Sequence, residues 1–148
     1  MFRGANVVNM DAKSRIAMPT RYRACLKAGS ILTIGTEERC LSLYPMTVWE
    51  EIEGKLAVLP SLNEQVRRIQ HLLIGHATEV ELDAQGRMLV PPLLRDYAGL
   101  GKRAVLVGQG KKIELWAERC WQERLSLWLK EEIRLDGELP DVMKLLSL

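Results

Sequence analysis

The sequence has few of the features that would indicate a disulfide framework, a membrane segment or a cysteine metal site. Its three cysteines are an odd number and include no Cys-x-x-Cys pair, so reduced thiols are expected. No apolar run approaches the roughly 18 residues needed to cross a bilayer. The N-terminus, MFRGANVVN, lacks the apolar core of a secretory signal. We therefore expect a cytoplasmic protein with no membrane partner.

Patterns typical of catalysis are also absent. The two histidines, His71 and His76, are five residues apart and do not form the His-Glu-x-x-His motif of zinc hydrolases. The segments GLGKR and GQGKK lack the Ser or Thr that follows the lysine of a phosphate loop. No serine or cysteine lies in a nucleophile elbow. The sequence therefore predicts no enzyme, no metal, no cofactor and no small-molecule substrate.

The charge of the chain is small in total but unevenly placed. Of the 148 residues, 47% are hydrophobic and 27% are charged, which is typical of a folded domain. The net charge is +2, yet residues 1–30 alone carry +5 and residues 83–112 carry +4, whereas residues 114–141 carry −4. Two basic segments in a nearly neutral chain indicate a polyanionic partner.

The two basic segments share a short motif. LDAQGRMLVP at residues 82–91 repeats MDAKSRIAMP at residues 10–19, with Asp and Arg aligned. We call the alignment that places Asp83 on Asp11 the repeat register. It aligns further matching residues along the chain, including Trp49 with Trp121. Such self-similarity indicates two copies of one supersecondary unit, which we place at residues 1–75 and 76–148.

Each copy is predicted to contain the same elements in the same order. A strand, a turn beginning at Asp11 or Asp83, and a second strand come first, followed by a short helix and a hairpin. The aspartate can accept hydrogen bonds from backbone N–H groups of the turn. Gly86 can take a positive φ, whereas its counterpart Ser14 would be strained there. The predicted fold class is α+β, or mostly β with flanking helices.

Helices are expected to close each copy. Capping boxes that begin at Thr47 and Ser61 predict two helix starts, and the apolar stripe of the second helix is predicted to begin at Leu62. One copy has too few residues of strand and turn for a stable core, so we expect the two copies to intertwine. The helix faces that carry Trp49, Trp121 and Trp128 are expected to stay exposed, which favours self-association.

Three segments of the chain carry a resemblance to a known family: MFRGANVVNMDAKSRIAMPTRYR, LLIGHATEVELDAQGRMLVPPLLRDYAGL and VLVGQGKKIELW. On these segments the chain resembles the MraZ family along residues 1–121. The resemblance implies two tandem AbrB-like (SpoVT-AbrB) swapped-hairpin repeats that form a pseudo-twofold barrel with flanking helices, as one intertwined unit. It also implies a bacterial transcription regulator that forms rings and associates with the nucleoid. The chain departs from the family at Ser14, where Gly is usual.

The Asp-x-x-x-Arg pairs have two interpretations. Asp11 with Arg15, and Asp83 with Arg87, could each be an ion pair that only closes a turn, and an exposed pair contributes just about 0–1 kcal/mol. Alternatively, each turn presents its arginine to a ligand. Because both pairs lie in the basic segments, we favour the second interpretation.

The resemblance makes double-stranded DNA the expected partner, together with further copies of the chain. It implies short repeated boxes upstream of the chain's own operon, which encodes division and cell-wall functions, as the target. Arg15 is predicted to be the main base-reading residue, since arginine bonded to guanine is the commonest specific contact. The other predicted DNA contacts are basic residues of the two copies: Arg3, Lys13 and Arg87. The residues predicted to support the turns are Asp11, Asp83 and Gly86.

Two alternatives to DNA binding remain at the level of sequence. One is an antitoxin-like variant of the same fold, which would bind a toxin partner through its acidic tail, residues 114–141. The other is a ring-shaped scaffold that acts only through contacts between proteins. A search of the DNA upstream of the gene for short boxes, spaced about one helical turn apart, would separate these alternatives from the regulator.

Overall fold

The computed structural model describes residues 1–36, 38–131 and 146. Eight short strands form in this part of the chain. They are β1 (Ala5–Asn9), β2 (Arg15–Ala17), β3 (Ser30–Ile34), β4 (Leu41–Pro45), β5 (Thr78–Val80), β6 (Arg87–Leu89), β7 (Arg103–Gly108) and β8 (Ile113–Ala117). Every residue of β3 is buried, whereas β1 alternates between exposed and half-buried residues. This difference indicates that β3 lies inside a sheet and β1 lies at an edge.

Five helices accompany the strands in the described residues. They are α1 (Thr20–Leu26), α2 (Met46–Ala57), α3 (Glu64–Leu73), α4 (Pro92–Ala98) and α5 (Glu118–Lys130). Three elements of the first repeat begin and end at positions that the repeat register aligns with an element of the second. These pairs are β2 with β6, α1 with α4, and β4 with β8. The repeat seen in the sequence is therefore a repeat of structure, and α3 is the element without a counterpart among the described residues. None of these helices is long and apolar enough to cross a membrane.

Six strands form one antiparallel sheet in the order β1-β7-β8-β4-β3-β5. The order is symmetric between the two repeats. Strand β1 corresponds to β5, β7 to β3 and β8 to β4, so the sheet read from either edge presents corresponding strands in the same order. The central pair is β4 with β8, where Leu41 lies opposite Leu115 and Leu43 opposite Ile113. All four of these side chains are buried, so the two repeats share one core.

The outer strands exchange partners between the repeats. Strand β1 of the first repeat pairs with β7 of the second, and β5 of the second repeat pairs with β3 of the first. Strands β2 and β6 form a separate two-stranded ribbon in which Ile16 lies opposite Met88. Each repeat thus lends its first hairpin to the other. The predicted fold class, two AbrB-like swapped-hairpin repeats with flanking helices, is confirmed.

Contacts between Cα atoms divide the chain into two compact units, Met1–Glu118 and Arg119–Leu148. The first unit holds the sheet, the ribbon and the buried core. In the second unit the rings of Trp121 and Trp128 meet edge to face, with centroids 6.2 Å apart. The later part of the acidic tail, to which toxin binding was assigned as an alternative, lies outside the described residues.

Both predicted capping boxes are wrong. Helix α2 begins at Met46 after Pro45, the N-cap residue, and no side chain caps it. Helix α3 is capped by Asn63, whose Oδ1 accepts hydrogen bonds from the N–H groups of Gln65 at 2.9 Å and Val66 at 3.2 Å. Asparagine is a strong N-cap, and its position leaves Leu62 outside the helix with 94% of its surface exposed.

The predicted exposure of Trp49 is also wrong. Trp49 is 2% exposed, because α2 packs on β3 and β4 with this side chain inward. Its ring lies 5.7 Å from the ring of Tyr44, and its Nε1 donates a hydrogen bond to Glu53 Oε2 at 2.9 Å. Trp121, the counterpart in the second repeat, is half-buried.

Candidate nucleic-acid interface

The first Asp-x-x-x-Arg turn is closed by hydrogen bonds from one carboxylate. Asp11 Oδ1 accepts from the backbone N–H groups of Lys13 and Arg15, each at 2.9 Å. Asp11 Oδ2 accepts from Arg15 Nε at 2.8 Å. The backbone closes the same turn, since the N–H of Ser14 donates to the carbonyl of Asp11 at 3.0 Å. The turn therefore places the side chains of Lys13 and Arg15 on a fixed backbone.

The second turn repeats this geometry. Asp83 Oδ1 accepts from the N–H groups of Gln85 and Arg87, each at 2.9 Å, and Asp83 Oδ2 accepts from Arg87 Nε at 2.9 Å. The N–H of Gly86 donates to the carbonyl of Asp83 at 2.9 Å. The prediction that an aspartate at the start of each turn would bond its backbone is confirmed for both copies.

The two turns need a left-handed residue at the same place. Gly86 has φ 76° and Ser14 has φ 62°. Glycine takes this conformation without steric cost, whereas a serine there is strained because its Cβ approaches the following carbonyl oxygen. The expected strain at Ser14 is thus present in the structure.

The turns lie side by side because β2 and β6 pair. The backbone N–H of Met18 donates to the carbonyl of Gly86, and the N–H of Val90 donates to the carbonyl of Ser14, both at 2.9 Å. Each turn is therefore fixed by a residue of the other repeat. We refer to residues 11–15 and 83–87 together as the paired-turn surface.

The carboxylates of the paired-turn surface are held in the charged form. The pKa of Asp11 lies below its ordinary value of 3.8, mainly because the backbone N–H of Arg15 donates to it. The pKa of Asp83 is lowered in the same way, mainly by the backbone N–H of Arg87. Asp11 has a further cationic neighbour, since its Oδ2 lies 4.0 Å from Arg87 Nη1. The two turns are thus coupled electrostatically through Asp11.

Arginine side chains remain accessible on this surface. The side chain of Arg15 is 29% exposed and that of Arg87 is 31% exposed, while Lys13 is exposed. Neither Nη group of Arg15 donates a hydrogen bond to another of the described residues. A guanidinium whose Nε is occupied and whose Nη groups are open can donate two parallel hydrogen bonds to a phosphate or to a guanine edge.

The structure does not bring Arg3 to the paired-turn surface. Arg3 precedes β1, whereas the first turn follows it, and five strand residues separate the two by roughly 16 Å. The side chain of Arg3 is exposed, and its carbonyl accepts a hydrogen bond from the hydroxyl of Tyr22. Lys13, Arg15 and Arg87 lie together, so Arg3 stands apart from the other predicted contacts.

Two arginines that sequence reasoning did not assign to the site brace it from behind. Arg23 of α1 packs against Gly86, where an added Cβ would lie 2.4 Å from the Arg23 guanidinium carbon. Arg95 of α4 donates from Nη1 to the hydroxyl of Ser14. The repeat register aligns Arg23 with Arg95 in the sequence. That alignment was the signal by which a shared role at the turns could have been found.

The histidines and the GQGKK turn are not part of the paired-turn surface. His71 Nδ1 is 2.6 Å from the carbonyl of Arg67, and His76 Nδ1 is 3.0 Å from that of Leu72. In the part of the chain that the structure describes, no three His, Cys, Asp or Glu residues cluster as metal ligands. The GQGKK segment forms the turn between β7 and β8, with Gly110 at φ 77°.

The fold and the paired turns define a class of protein. A single chain whose two AbrB-like repeats exchange hairpins, and whose two Asp-x-x-x-Arg turns meet on one ribbon, is a tandem swapped-hairpin protein. The sequence pattern of the MraZ proteins, a family described as antitoxin-like, matches the chain twice, at residues 1–72 and 73–133. The chain belongs to the MraZ family.

Curated relatives match over their full length. The chain is 53% identical over 152 residues to the transcriptional regulator MraZ of Coxiella burnetii, 51% identical to that of Halorhodospira halophila and 50% identical to that of Legionella pneumophila. In each case the alignment covers 100% of this chain and 100% of the relative. All three relatives bear the name of a transcription regulator.

Proposed function

We propose that this chain is a transcription regulator that binds double-stranded DNA through the paired-turn surface. Two observations support the proposal. The relatives at 50–53% identity are named as transcription regulators, and the chain brings two arginines from its basic segments onto one ribbon. A regulator of this kind acts in the cytoplasm, in association with nucleoid DNA.

The observation that carries the proposal is the way Arg15 is held. Its Nε donates to Asp11 Oδ2 at 2.8 Å and its backbone N–H donates to Asp11 Oδ1 at 2.9 Å. Because the guanidinium is planar, fixing the Nε edge also sets the direction of the Nη edge. That edge matches the O6 and N7 acceptors of guanine in the major groove, the pair that arginine reads most often. Arg15 is therefore the primary base-reading residue of the proposal.

Asp11 has an orienting role in this mechanism. Its carboxylate is occupied by the turn and lies within 4.0 Å of Arg87 Nη1, so it holds two arginines on the same side. A direct contact with DNA would be unfavourable, because a carboxylate is repelled by phosphates. Asp83 holds Arg87 in the same way within the second turn.

Lys13 and Arg87 provide phosphate contacts in the proposal. Each phosphate that a cation neutralises changes the slope of log K against log salt by about 0.9, so affinity should fall steeply with ionic strength. The second turn has Gln85 where the first has Lys13, and it is therefore the weaker contributor. Arg3 remains a proposed contact, to DNA that extends beyond the paired-turn surface.

Binding is proposed to involve several copies of the chain in a ring. One paired-turn surface offers few contacts, whereas several on a shared rim gain affinity by effective concentration when the DNA repeats its boxes at a matching spacing. The proposed target is the promoter of the chain's own division and cell-wall operon.

The boundary between the two repeats is proposed to lie between residues 75 and 76. Since β1 pairs with β7 and β3 with β5 across that boundary, neither repeat completes the sheet alone.

The test is the substitution Arg15→Ala in the full chain. Binding to labelled DNA from upstream of the chain's own gene is measured by fluorescence anisotropy, with a scrambled fragment of equal length alongside. We expect affinity for the upstream fragment to fall by about tenfold or more, since one bidentate base contact is worth about 1–3 kcal/mol. The scrambled fragment should lose far less.

The matched control is Arg68→Ala. Arg68 lies on α3, is exposed, and has no ion-pair partner among the described residues, so its removal changes the net charge equally without touching the turns. Analytical ultracentrifugation of both variants checks that assembly is retained. If Arg15→Ala and Arg68→Ala bind the upstream fragment equally well, the proposed role of Arg15 is excluded.

A further inference from the structure

Ser14 is the single non-glycine residue with a positive φ among the residues described, at 62°. All of its polar groups are bonded. Its N–H donates to the carbonyl of Asp11 at 3.0 Å, its carbonyl accepts from the N–H of Val90 at 2.9 Å, and its hydroxyl accepts from Arg95 Nη1. Two of these three partners, Val90 and Arg95, belong to the second repeat. The strained residue is therefore held in place from across the repeat boundary.

The second turn shows what the arginine does when no serine is present. Arg23, the counterpart of Arg95, donates from Nε to the carbonyl of Met18 at 2.8 Å and packs against Gly86 without bonding the turn. Arg95 takes another direction: its Nε lies 3.3 Å from the carbonyl of Leu100, which leaves Nη1 to meet the hydroxyl of the first turn. The two arginines thus occupy equivalent places and make different contacts.

This difference follows from the residue at the left-handed position. In the second turn a Cβ added at Gly86 would lie 2.4 Å from the guanidinium carbon of Arg23, which is a collision. In the first turn a Cβ is present on Ser14, so the arginine must move aside, and its new position places a charged donor on the serine hydroxyl. Hydrogen bonds to charged groups are stronger than neutral ones. The contact can therefore offset the strain of the left-handed serine.

We propose that Arg95 is a positioning residue for DNA recognition, which acts by hydrogen-bonding Ser14 and thereby fixing Lys13 and Arg15 on the first turn. The proposal rests on the proposed function, since it assigns the role of a residue behind the same surface. Arg95 is half-buried and acts through Ser14, whereas Arg15 contacts the DNA. The hydrogen bond from Arg95 to Ser14 makes the shape of the first turn depend on the second repeat.

The test is a double-mutant cycle with Arg95→Met and Ser14→Gly, each alone and combined, in the full chain. Glycine at position 14 removes both the strain and the hydroxyl, so a turn that contains it should not need Arg95. Two readouts are taken. One is amide hydrogen exchange of the segment that contains residues 11–15, without DNA, and the other is affinity for the upstream DNA fragment.

We expect Arg95→Met to speed exchange in the first turn and to weaken DNA binding by about tenfold, which is close to the least that one charge-assisted hydrogen bond contributes. In the Ser14→Gly background the same substitution should change both quantities by less than about twofold. Arg23→Met is the matched control, because the Arg23 side chain donates to the carbonyl of Met18 and bonds neither turn among the described residues. It should leave exchange of the first turn unchanged.

Each alternative gives a different result. If Arg95 touched a phosphate directly, Arg95→Met would weaken binding equally in both backgrounds and lower the salt slope by about 0.9, which would overturn the positioning role. Equal exchange rates in the parent and in Arg95→Met would overturn it too. If the cycle shows coupling in exchange but the parent binds no upstream DNA, the contact is upheld as a brace of the turn and the proposed function fails.

Discussion

In the first turn a serine takes the left-handed position and bonds an arginine of the other repeat, whereas in the second turn a glycine takes that position and an arginine packs on it. The carboxylate hydrogen bonds measure 2.8 to 2.9 Å in the first turn and 2.9 Å in the second. The backbones of the turns are therefore alike, and the differences lie in the residues that support and flank them. Ser14 with Arg95 and Gly86 with Arg23 are two ways of meeting one conformational requirement.

The difference extends to charge. Lys13 of the first turn corresponds to Gln85 of the second. Among the described residues Asp11 has two arginine neighbours and Asp83 has one. The first turn thus has the greater cationic charge. A duplicated element whose geometry is kept while its charge diverges allows one copy to lead in recognition and the other to support it.

The largest effect is expected from replacing each arginine by lysine. Arg15→Lys keeps the charge but removes the planar pair of donors, so it should lose about tenfold or more of its affinity for the upstream fragment, as a bidentate contact would. Arg87→Lys should change affinity by only a few-fold, because a phosphate contact needs charge and no fixed geometry. Anisotropy titrations at one salt concentration measure both. Equal losses in the two variants would show that the turns share base recognition.

The next effect concerns stability. Gly86→Ala should lower the free energy of unfolding by about 1–3 kcal/mol, because alanine is strained at positive φ and its Cβ displaces the Arg23 guanidinium. Ser14→Gly should stay within about 1 kcal/mol of the parent, since relief of strain offsets loss of the hydrogen bond to Arg95. Urea denaturation followed by tryptophan fluorescence measures both. A larger loss in Ser14→Gly than in Gly86→Ala would reverse the comparison.

The fold could be predicted largely from the sequence because its elements repeat. The repeat register places strands, turns and short helices twice, and two agreeing copies reduce the chance of misreading either. The pairing partner of each strand was harder to predict from the sequence. Strand β1 pairs with β7, with Asn9 opposite Arg103, and no local pattern in either segment identifies a partner that far along the chain. The exchange of hairpins came from the family resemblance and from the size of one copy.

The site was predictable where its interactions are local. Asp11 and Arg15 are four residues apart across a tight turn, so their contact follows from turn chemistry. The bond between Arg95 and Ser14 joins residues 81 positions apart and needs the pairing of β2 with β6 to exist. The capping box at Ser61 failed although capping is local, because Asn63, two residues further on, is a competing cap that the motif does not consider.

A smaller effect is expected from exchanging the flanking residues Lys13 and Gln85. Lys13→Gln should lower the slope of log K against log salt by about 0.9, and Gln85→Lys should raise it by a similar amount, because the second turn lies beside the first. Titrations of each single variant and of the double variant between low and moderate salt provide the slopes. An unchanged slope in Gln85→Lys would place the second turn away from the DNA.

The smallest effect is expected from the acidic partners of the turns. Both aspartates have lowered pKa values in the folded chain, relative to an ordinary 3.8, so each contributes stability that is fully present above pH 3.8 and is lost as the pH falls through the lower folded pKa. Asp11→Asn keeps the Oδ1 acceptor but removes the charge that faces Arg15 and Arg87. Its difference in unfolding free energy from the parent should therefore shrink as the pH is lowered from 6 towards about 3.

Asp83→Asn should show the same trend with a smaller difference, because Asp83 faces only Arg87 in the described structure. Denaturation curves of the three proteins across this range measure the trend, and a difference for Asp83→Asn that equals or exceeds that for Asp11→Asn would show that the second arginine adds nothing to the first turn.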